Sequence, residues 1–433
     1  MPKTLQRSAA VSLSLLLVLL ALCASASAAP QEKTVWKIGT LAPRGIGWAL
    51  QVENILYPAV ARGSDDNLSL KVFWGGAMGS DAECLKKMES DVLQGAGLNA
   101  HGATLACPEF NVLKLPFLFE NYDEVDFVRL RMLSSFDYYF TRHGLKLLLW
   151  VDQDFDQLYS TTSPMASLAD FSKTRFVNWY GRLDQALFAA LGAESIPVDI
   201  PEIASTIKSG RANSVIAPAI WMVGTQLYSV IRYVNPSQMS YSPAAIVVTL
   251  KAWDRLPASY RTRLWAMRDD LIKRFCAGTR ADNVKCLDAM LEYGVKSETL
   301  TPQNLGEIRL RTRTVYPELA DELYPTALLQ ELLRTLAEYR RVNFSTSFGD
   351  LIPTIAKNTI APEAQAMRIS WNRRFAQVRG VQEKLKALGL YSGPVDGVPG
   401  PETYAAVKKY QQSRNLPETG GIDDALLALL GID

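Results

Sequence analysis

Short apolar runs rich in β-branched and aromatic residues occur at 35–41 and 68–74, and both read as strands. Between them, 47–62 carries apolar residues at helical spacing. A second helical stretch, 81–93, leads through Gly95 into the apolar run 96–98. Strands alternating with helices indicate βαβ units and a largely parallel sheet. Two such groups follow one another, one before about residue 153 and one from about 154 to 240, so two α/β lobes are expected. Further on, Leu328, Leu329, Leu332, Leu333 and Leu336 recur at three- and four-residue intervals within 317–341. This is an amphipathic helix that Pro325 either kinks or starts. A less regular stretch follows, and a last unit of roughly sixty residues (375–433) closes the chain.

The amino terminus has the pattern of an export signal. Lys3 and Arg7 precede a nearly continuous apolar run at 9–22, followed by small residues through Ala29. A basic flank, a short apolar core and an A-x-A site describe a secretory peptide, too short to span a bilayer, with cleavage expected after Ala28. An uncleaved anchor is the weaker alternative. So is lipidation of Cys23, because that site wants a small residue in front and Leu22 stands there. A periplasmic protein is expected.

The 433 residues exceed one typical domain, and Lys+Arg (46) nearly balance Asp+Glu (44) without a long basic run. Nucleic acid is therefore not expected as a partner, since affinity there rests on neutralising phosphates. Cys84, Cys107, Cys276 and Cys286 follow the leader. An oxidising compartment permits disulfides, and Cys276 and Cys286 stand close enough in sequence to close a small loop. Four buried free thiols are the equal alternative.

Chemistry motifs are mostly missing. The chain has two histidines, His101 and His143, too few for most zinc hydrolases. No glycine-rich phosphate loop, dinucleotide fingerprint or G-x-S-x-G elbow occurs, and STIK (205–208) lacks the companion motifs of penicillin-binding enzymes. His101 and Cys107 suggest a transpeptidase pair, but no histidine immediately precedes Cys107 to form its thiolate. No catalytic residue, metal or cofactor is expected, and the chain is read as a non-enzyme.

KIGTLAP (37–43), PEFNVLKLPFLF (108–119) and FAALGA (188–193) stand in the order found in the solute-binding proteins of TRAP transporters, the tripartite ATP-independent periplasmic carriers. The stretch from about 37 to 234 resembles that family. The resemblance implies two lobes joined by hinge strands, closing over a small organic anion that passes to a membrane permease. It also implies a strand arginine clamping a carboxylate. KTRFV (173–177) gives Arg175, whose planar fork of donors suits that task. The sequence departs from the family twice. Asp156 in DFD (154–156) replaces an arginine, and Ala217 in IAP (216–218) replaces an asparagine. Asp156 is expected either to pair with Arg175 or to meet an amino group of the ligand. Trp48, Tyr159, Trp179 and Trp221 are candidates for an apolar or ring-bearing ligand, with core filling as the alternative.

The last unit resembles the peptidoglycan-binding module of wall hydrolases. Its marks are a helix ending at Leu388-Gly389, then Tyr391, the turn GPVDG (393–397), GPET (400–403), a helix through Tyr410, and NLP (415–417). The resemblance implies wall binding. Tyr391, Asp396, Thr403 and Tyr410 are its candidate residues, with a fold-forming role favoured for Asp396 and Thr403 and a core role as the alternative to contact for Tyr391 and Tyr410. The expected architecture is α/β: a two-lobed periplasmic-binding-protein fold with hinge strands and a long C-terminal helix, then a small all-α three-helix module. The lobes are assigned to 34–153 with 242–282 and to 154–241 with 283–341, and a linker to 342–374.

Overall fold

The computed structural model describes residues 33–352 and, in the last unit, 376–393, 395, 401–416, 418, 420–422 and 424–432. The export signal, Cys23, Asp396 and most of the expected linker lie outside the described residues.

The described strands are β1 (Thr34–Thr40), β2 (Leu68–Phe73), β3 (Gly95–Leu98), β4 (Leu145–Ser160), β5 (Arg175–Asn178), β6 (Glu194–Pro197), β7 (Ser214–Ala217), β8 (Tyr233–Thr249) and β9 (Lys296–Ser297). They form one sheet in the order β2-β1-β3-β8-β4-β7-β5-β6, with β9 beside β8. The expectation of a largely parallel sheet holds only at its two ends, where β2, β1 and β3 run parallel, as do β7, β5 and β6. Between the ends, β4 and β8 are antiparallel to each other, as are β8 and β3 and β4 and β7, while the two-residue β9 runs parallel to β8. At 16 and 17 residues, β4 and β8 each extend about 50 Å and belong to both halves. β1 and β3 run with β4, and β5, β6 and β7 run against it. The C-terminal ends of both parallel sets therefore face each other across the middle of the sheet, where α/β proteins hold ligands.

Three register shifts interrupt β4 against β8, one of them between Asp152 and Asp154. Each bulge bends the strand and leaves a residue without a cross-strand partner. The helix Arg268–Tyr293 satisfies what the bulges free. Arg268 donates to the carbonyls of Leu147 and Leu148, and the Asn283 amide donates to that of Gln153. Its 26 residues, about 39 Å long, lie across the middle. Phe275 belongs to the core of the first half and Met290 to that of the second.

The 317–341 pattern resolves into two helices, Val315–Leu319 and Thr326–Arg340, with Pro325 as the cap that starts the second. The leucine face of Thr326–Arg340 joins the core of the first half, beside Val125 and Val128. The assignment of 283–341 to the second lobe is therefore corrected for this helix. The linker boundary moves too, because Phe348 and Leu351 are buried in the same core. Among its described residues, the last unit contains three helices, at 376–387, Pro401–Ser413 and Asp424–Leu430, around Val381, Leu385, Val407 and Leu426.

Candidate functional site

A cleft of about 510 Å³ opens between the facing strand ends. From the first half it takes Thr40 at the end of β1, the segment through Gly47 and Trp48, and Asn99 just after β3. From the second half it takes Ile200, Pro201, Ala204, Ile220, Trp221 and Thr225. Gln153, the residue that the β4 bulge leaves over, contributes from the middle. Its side-chain oxygen accepts from the Ala100 N–H and so fixes the start of the helix Ala100–Ala106 at the cleft edge. The volume suits a small organic ligand. Its described lining is mostly apolar, with the hydroxyls and amides of Thr40, Asn99, Gln153 and Thr225 as polar groups and no charged side chain. Gly47 is held at φ 51°, and a Cβ there would stand 2.7 Å from the Ile220 side chain opposite, so the two halves meet at this point.

Two of the four candidate aromatics line the cleft. Trp48 sits edge-on to Phe275 at 5.2 Å, and its indole N–H is buried with no hydrogen-bond partner among the described residues. An unpaired buried donor is costly and calls for an acceptor. Trp221 packs on Trp179 at 4.7 Å, and Trp179 continues to Tyr180 and then to the His101 ring. Trp179 itself lines a neighbouring void of about 10 Å³, room for one water at most. Tyr159 is fully buried in the second-half core, where its hydroxyl donates to Gln157. Ala217, at the end of β7, lies in the same core.

Arg175 is not in the cleft. It opens β5 at the end away from the middle, about 10 Å from Asn178. Its guanidinium donates to the carbonyls of Arg211 and Gly210. The expected Asp156–Arg175 pair is consequently absent. Asp156 pairs instead with Lys114 at 2.6 Å, and both side chains are 2% exposed. The Ser240 hydroxyl donates to the same Asp156 oxygen, and the Lys114 ammonium lies over the Tyr180 ring. Reading the sequence missed Lys114, although a lysine inside an apolar run at 110–119 is a signal, because burying a charge demands a partner.

Asp152, Asp154 and Asp156 alternate along β4 and receive different partners. Burial would raise Asp152, but Arg129 and Arg280 hold it below the usual carboxylate range. Asp154 has the Tyr122 hydroxyl instead, and burial pushes it up to about 7. Burial likewise lifts Asp184 to about 7, against the N–H groups of Trp179 and Tyr180 that donate to it. Burial also lifts Asp81 to about 7, against the opposing effect of the Asn99 side chain.

The four cysteines among the described residues are free. Cys276 and Cys286 share the helix Arg268–Tyr293, ten residues or about 15 Å apart along its axis, beyond the reach of a disulfide. Burial raises the thiols of Cys84 and Cys276 to about 11 and about 12 and lifts Cys107 and Cys286 as well, which disfavours the nucleophilic thiolate. In the last unit, Tyr391, Thr403 and Tyr410 are buried. The fully buried Gln382 amide donates to the Tyr391 and Thr403 hydroxyls. Of the two roles open to them, these three residues take the fold-forming one, as parts of the module's core.

Comparison with known proteins follows the same division. Residues 51–323 match the family described as bacterial extracellular solute-binding protein, family 7, and residues 376–430 match the putative peptidoglycan binding domain. A solute-binding protein of Chromohalobacter salexigens is 22% identical over 270 residues, 61% of this chain and 78% of that protein. The C4-dicarboxylate-binding periplasmic protein DctP of Rhodobacter capsulatus is 23% identical over 225 residues, 51% of this chain and 66% of that one. Among solved structures, a TRAP periplasmic solute-binding protein from Ochrobactrum anthropi superposes with a TM-score of 0.65 at 22% identity, covering 73% of this chain and 98% of its own. The sugar acid binding protein of Advenella mimigardefordensis, in complex with galactonate, gives 0.65 at 18%, covering 71% and 99%. A TRAP protein from Desulfovibrio salexigens with bound orotic acid gives 0.64 at 18%, covering 72% and 100%. No helix among the described residues is long and apolar enough to cross a membrane.

Proposed function

Because the chain belongs to the bacterial extracellular solute-binding protein family 7, we propose that its large domain is a periplasmic TRAP-type receptor that captures a small organic acid with an apolar body. The observation that carries this reading is the cleft itself, with Trp48 and Trp221 contributed from opposite halves. Ligand contacts made to both halves at once favour the closed arrangement over the open one. The buried, unpartnered indole N–H of Trp48 supplies a donor for an oxygen of the ligand, and Thr40, Asn99, Gln153 and Thr225 supply further uncharged polar groups. The acid group is held by neutral donors, because Arg175 is engaged elsewhere and Lys114 is neutralised by Asp156.

The C-terminal peptidoglycan-binding domain would hold the receptor at the wall after the leader is removed, and the captured solute would pass to a TRAP-type permease in the inner membrane. No catalytic step enters this reading. Native mass spectrometry of the purified mature protein, followed by a thermal-shift panel of sugar acids, orotate and aromatic carboxylates, tests it. The expected result is a ligand whose affinity falls in Trp48→Phe, which keeps the ring and removes the donor. A folded protein that retains no ligand and shifts with none of the panel would overturn the reading. Co-sedimentation with purified sacculi, with and without residues 375–433, tests the tether.

A further inference from the structure

Cys107, Glu109 and His143 lie outside the cleft, and solute capture uses none of them. Cys107 ends the helix Ala100–Ala106 and precedes the 3-10 turn Pro108–Lys114, which holds Glu109. His143 ends the helix Tyr122–Arg142. The sequence suggests His101 as the partner of Cys107, but His101 stands against the Tyr180 ring. The histidine brought to this thiol is His143, through a shared carboxylate. The Cys107 thiol donates to Glu109 Oε2 at 3.3 Å, and His143 Nε2 lies 3.0 Å from the same oxygen. The three donor atoms all fall within 4.8 Å of one another. Among the described residues, Glu109 forms no ion pair with a lysine or arginine.

The 3.3 and 3.0 Å separations approach those of a coordination shell. A tetrahedral zinc ion with ligands at ~2.0–2.3 Å sets its ligand atoms roughly 3.3–3.7 Å apart. One thiol, one imidazole and one carboxylate form a mixed S, N, O set suited to a borderline-soft divalent metal. We propose that Cys107, Glu109 and His143 form a binding site for such a cation, zinc first among them. Each ligand sits on fixed backbone: the Cys107 N–H donates to Ala103, that of Phe110 to Cys107, and that of His143 to Phe140. Cys107 is fully buried while the His143 side chain is 38% exposed, so one side of the site opens to solvent for a fourth, exchangeable ligand. Binding exchanges the thiol proton, released to solvent, for a sulfur–metal bond. The ion joins the turn that carries Lys114 to the helix end from which β4 departs, and so fixes the segments that deliver Lys114 and Asp156.

The test uses the mature full chain, stripped with a chelator, dialysed against zinc chloride and desalted before its metal content is measured. Cobalt(II) serves as the spectroscopic probe of the sulfur ligand. The expected result is about one equivalent of zinc and a thiolate-to-cobalt charge-transfer band. Affinity should fall about tenfold or more in Cys107→Ser and in His143→Gln, and stay unchanged in Cys84→Ser, a buried thiol elsewhere. His143→Gln changes a partly exposed side chain, so its folded state can be checked by circular dichroism before the measurement. Absence of bound metal in the folded wild type, or equal binding in both ligand variants, overturns the proposal.

Discussion

The Lys114–Asp156 pair yields a quantitative prediction. Lys114→Met keeps most of the apolar stem and removes the ammonium, leaving a carboxylate that is 2% exposed with, among the described residues, only the Ser240 hydroxyl to donate to it. Removing one member of a buried pair costs about 3–5 kcal/mol, because the remaining charge is uncompensated in a poor solvent. For the body described over 33–352, unfolding entropy of roughly 0.7 kcal/mol per degree makes this a drop of about 4–7 °C in melting temperature. The double variant Lys114→Met/Asp156→Leu removes both charges and should return to within about 1 kcal/mol of wild type, since apolar replacements of buried pairs are often neutral or better. Thermal unfolding followed by far-UV circular dichroism, repeated in low and high salt, reads both changes. Salt should leave the single-variant loss unchanged, as screening acts on exposed charges. An unchanged melting temperature in Lys114→Met, or a double variant less stable than the single, would refute the reasoning.

Three further outcomes are expected. Asp81, Asp154 and Asp184 hold protons in the folded state up to about pH 7 that the unfolded chain releases near pH 4, so stability should fall as pH rises from 4 to 7 and level off above it. Asp81→Asn should reduce that fall; melting curves at pH 5 and pH 8 identical to wild type would contradict it. Gly47→Ala places a Cβ 2.7 Å from Ile220 on backbone at φ 51°; about 1 kcal/mol or more of stability should be lost, with weaker ligand binding by calorimetry. Dithiothreitol should not shift the melting temperature, because Cys84, Cys107, Cys276 and Cys286 are free; a drop would show a disulfide.

Repeating patterns carried most of what the sequence revealed. Alternating apolar runs and helical spacing gave the α/β character, and the ordered motifs at 37–43, 108–119 and 188–193 pointed to two lobes. Patterns of burial do not report strand direction, so the antiparallel β4 and β8 at the centre were not legible. Nor does an amphipathic stripe name the surface it covers, and the leucines of 326–340 cover the first half rather than the second. At the site, size and ring character led to Trp48 and Trp221, while a short motif match led to Arg175, which β5 turns away from the cleft. Gln153 owes its position to a bulge that nothing local in the sequence marks. The choice of Lys114 over Arg175 as the partner of Asp156 depends on a contact 42 residues apart. Tyr391, Thr403 and Tyr410 were placed correctly in the module's turns and helices, but burial around Gln382 makes them internal.

The helix Arg268–Tyr293 is fastened to β4 by Arg268 near one end and by Asn283 toward the other, and Asn283 also accepts from the Ile220 N–H on the opposite half. Such a brace acts as a leaf spring rather than a slack hinge. On the proposed receptor reading, turning one half toward the other would flex about 39 Å of helix together with the bulged strands beside it, and the elastic energy stored on closing would favour reopening once the solute has left. Stiffening or loosening this single element would tune residence time without altering any residue that touches the solute.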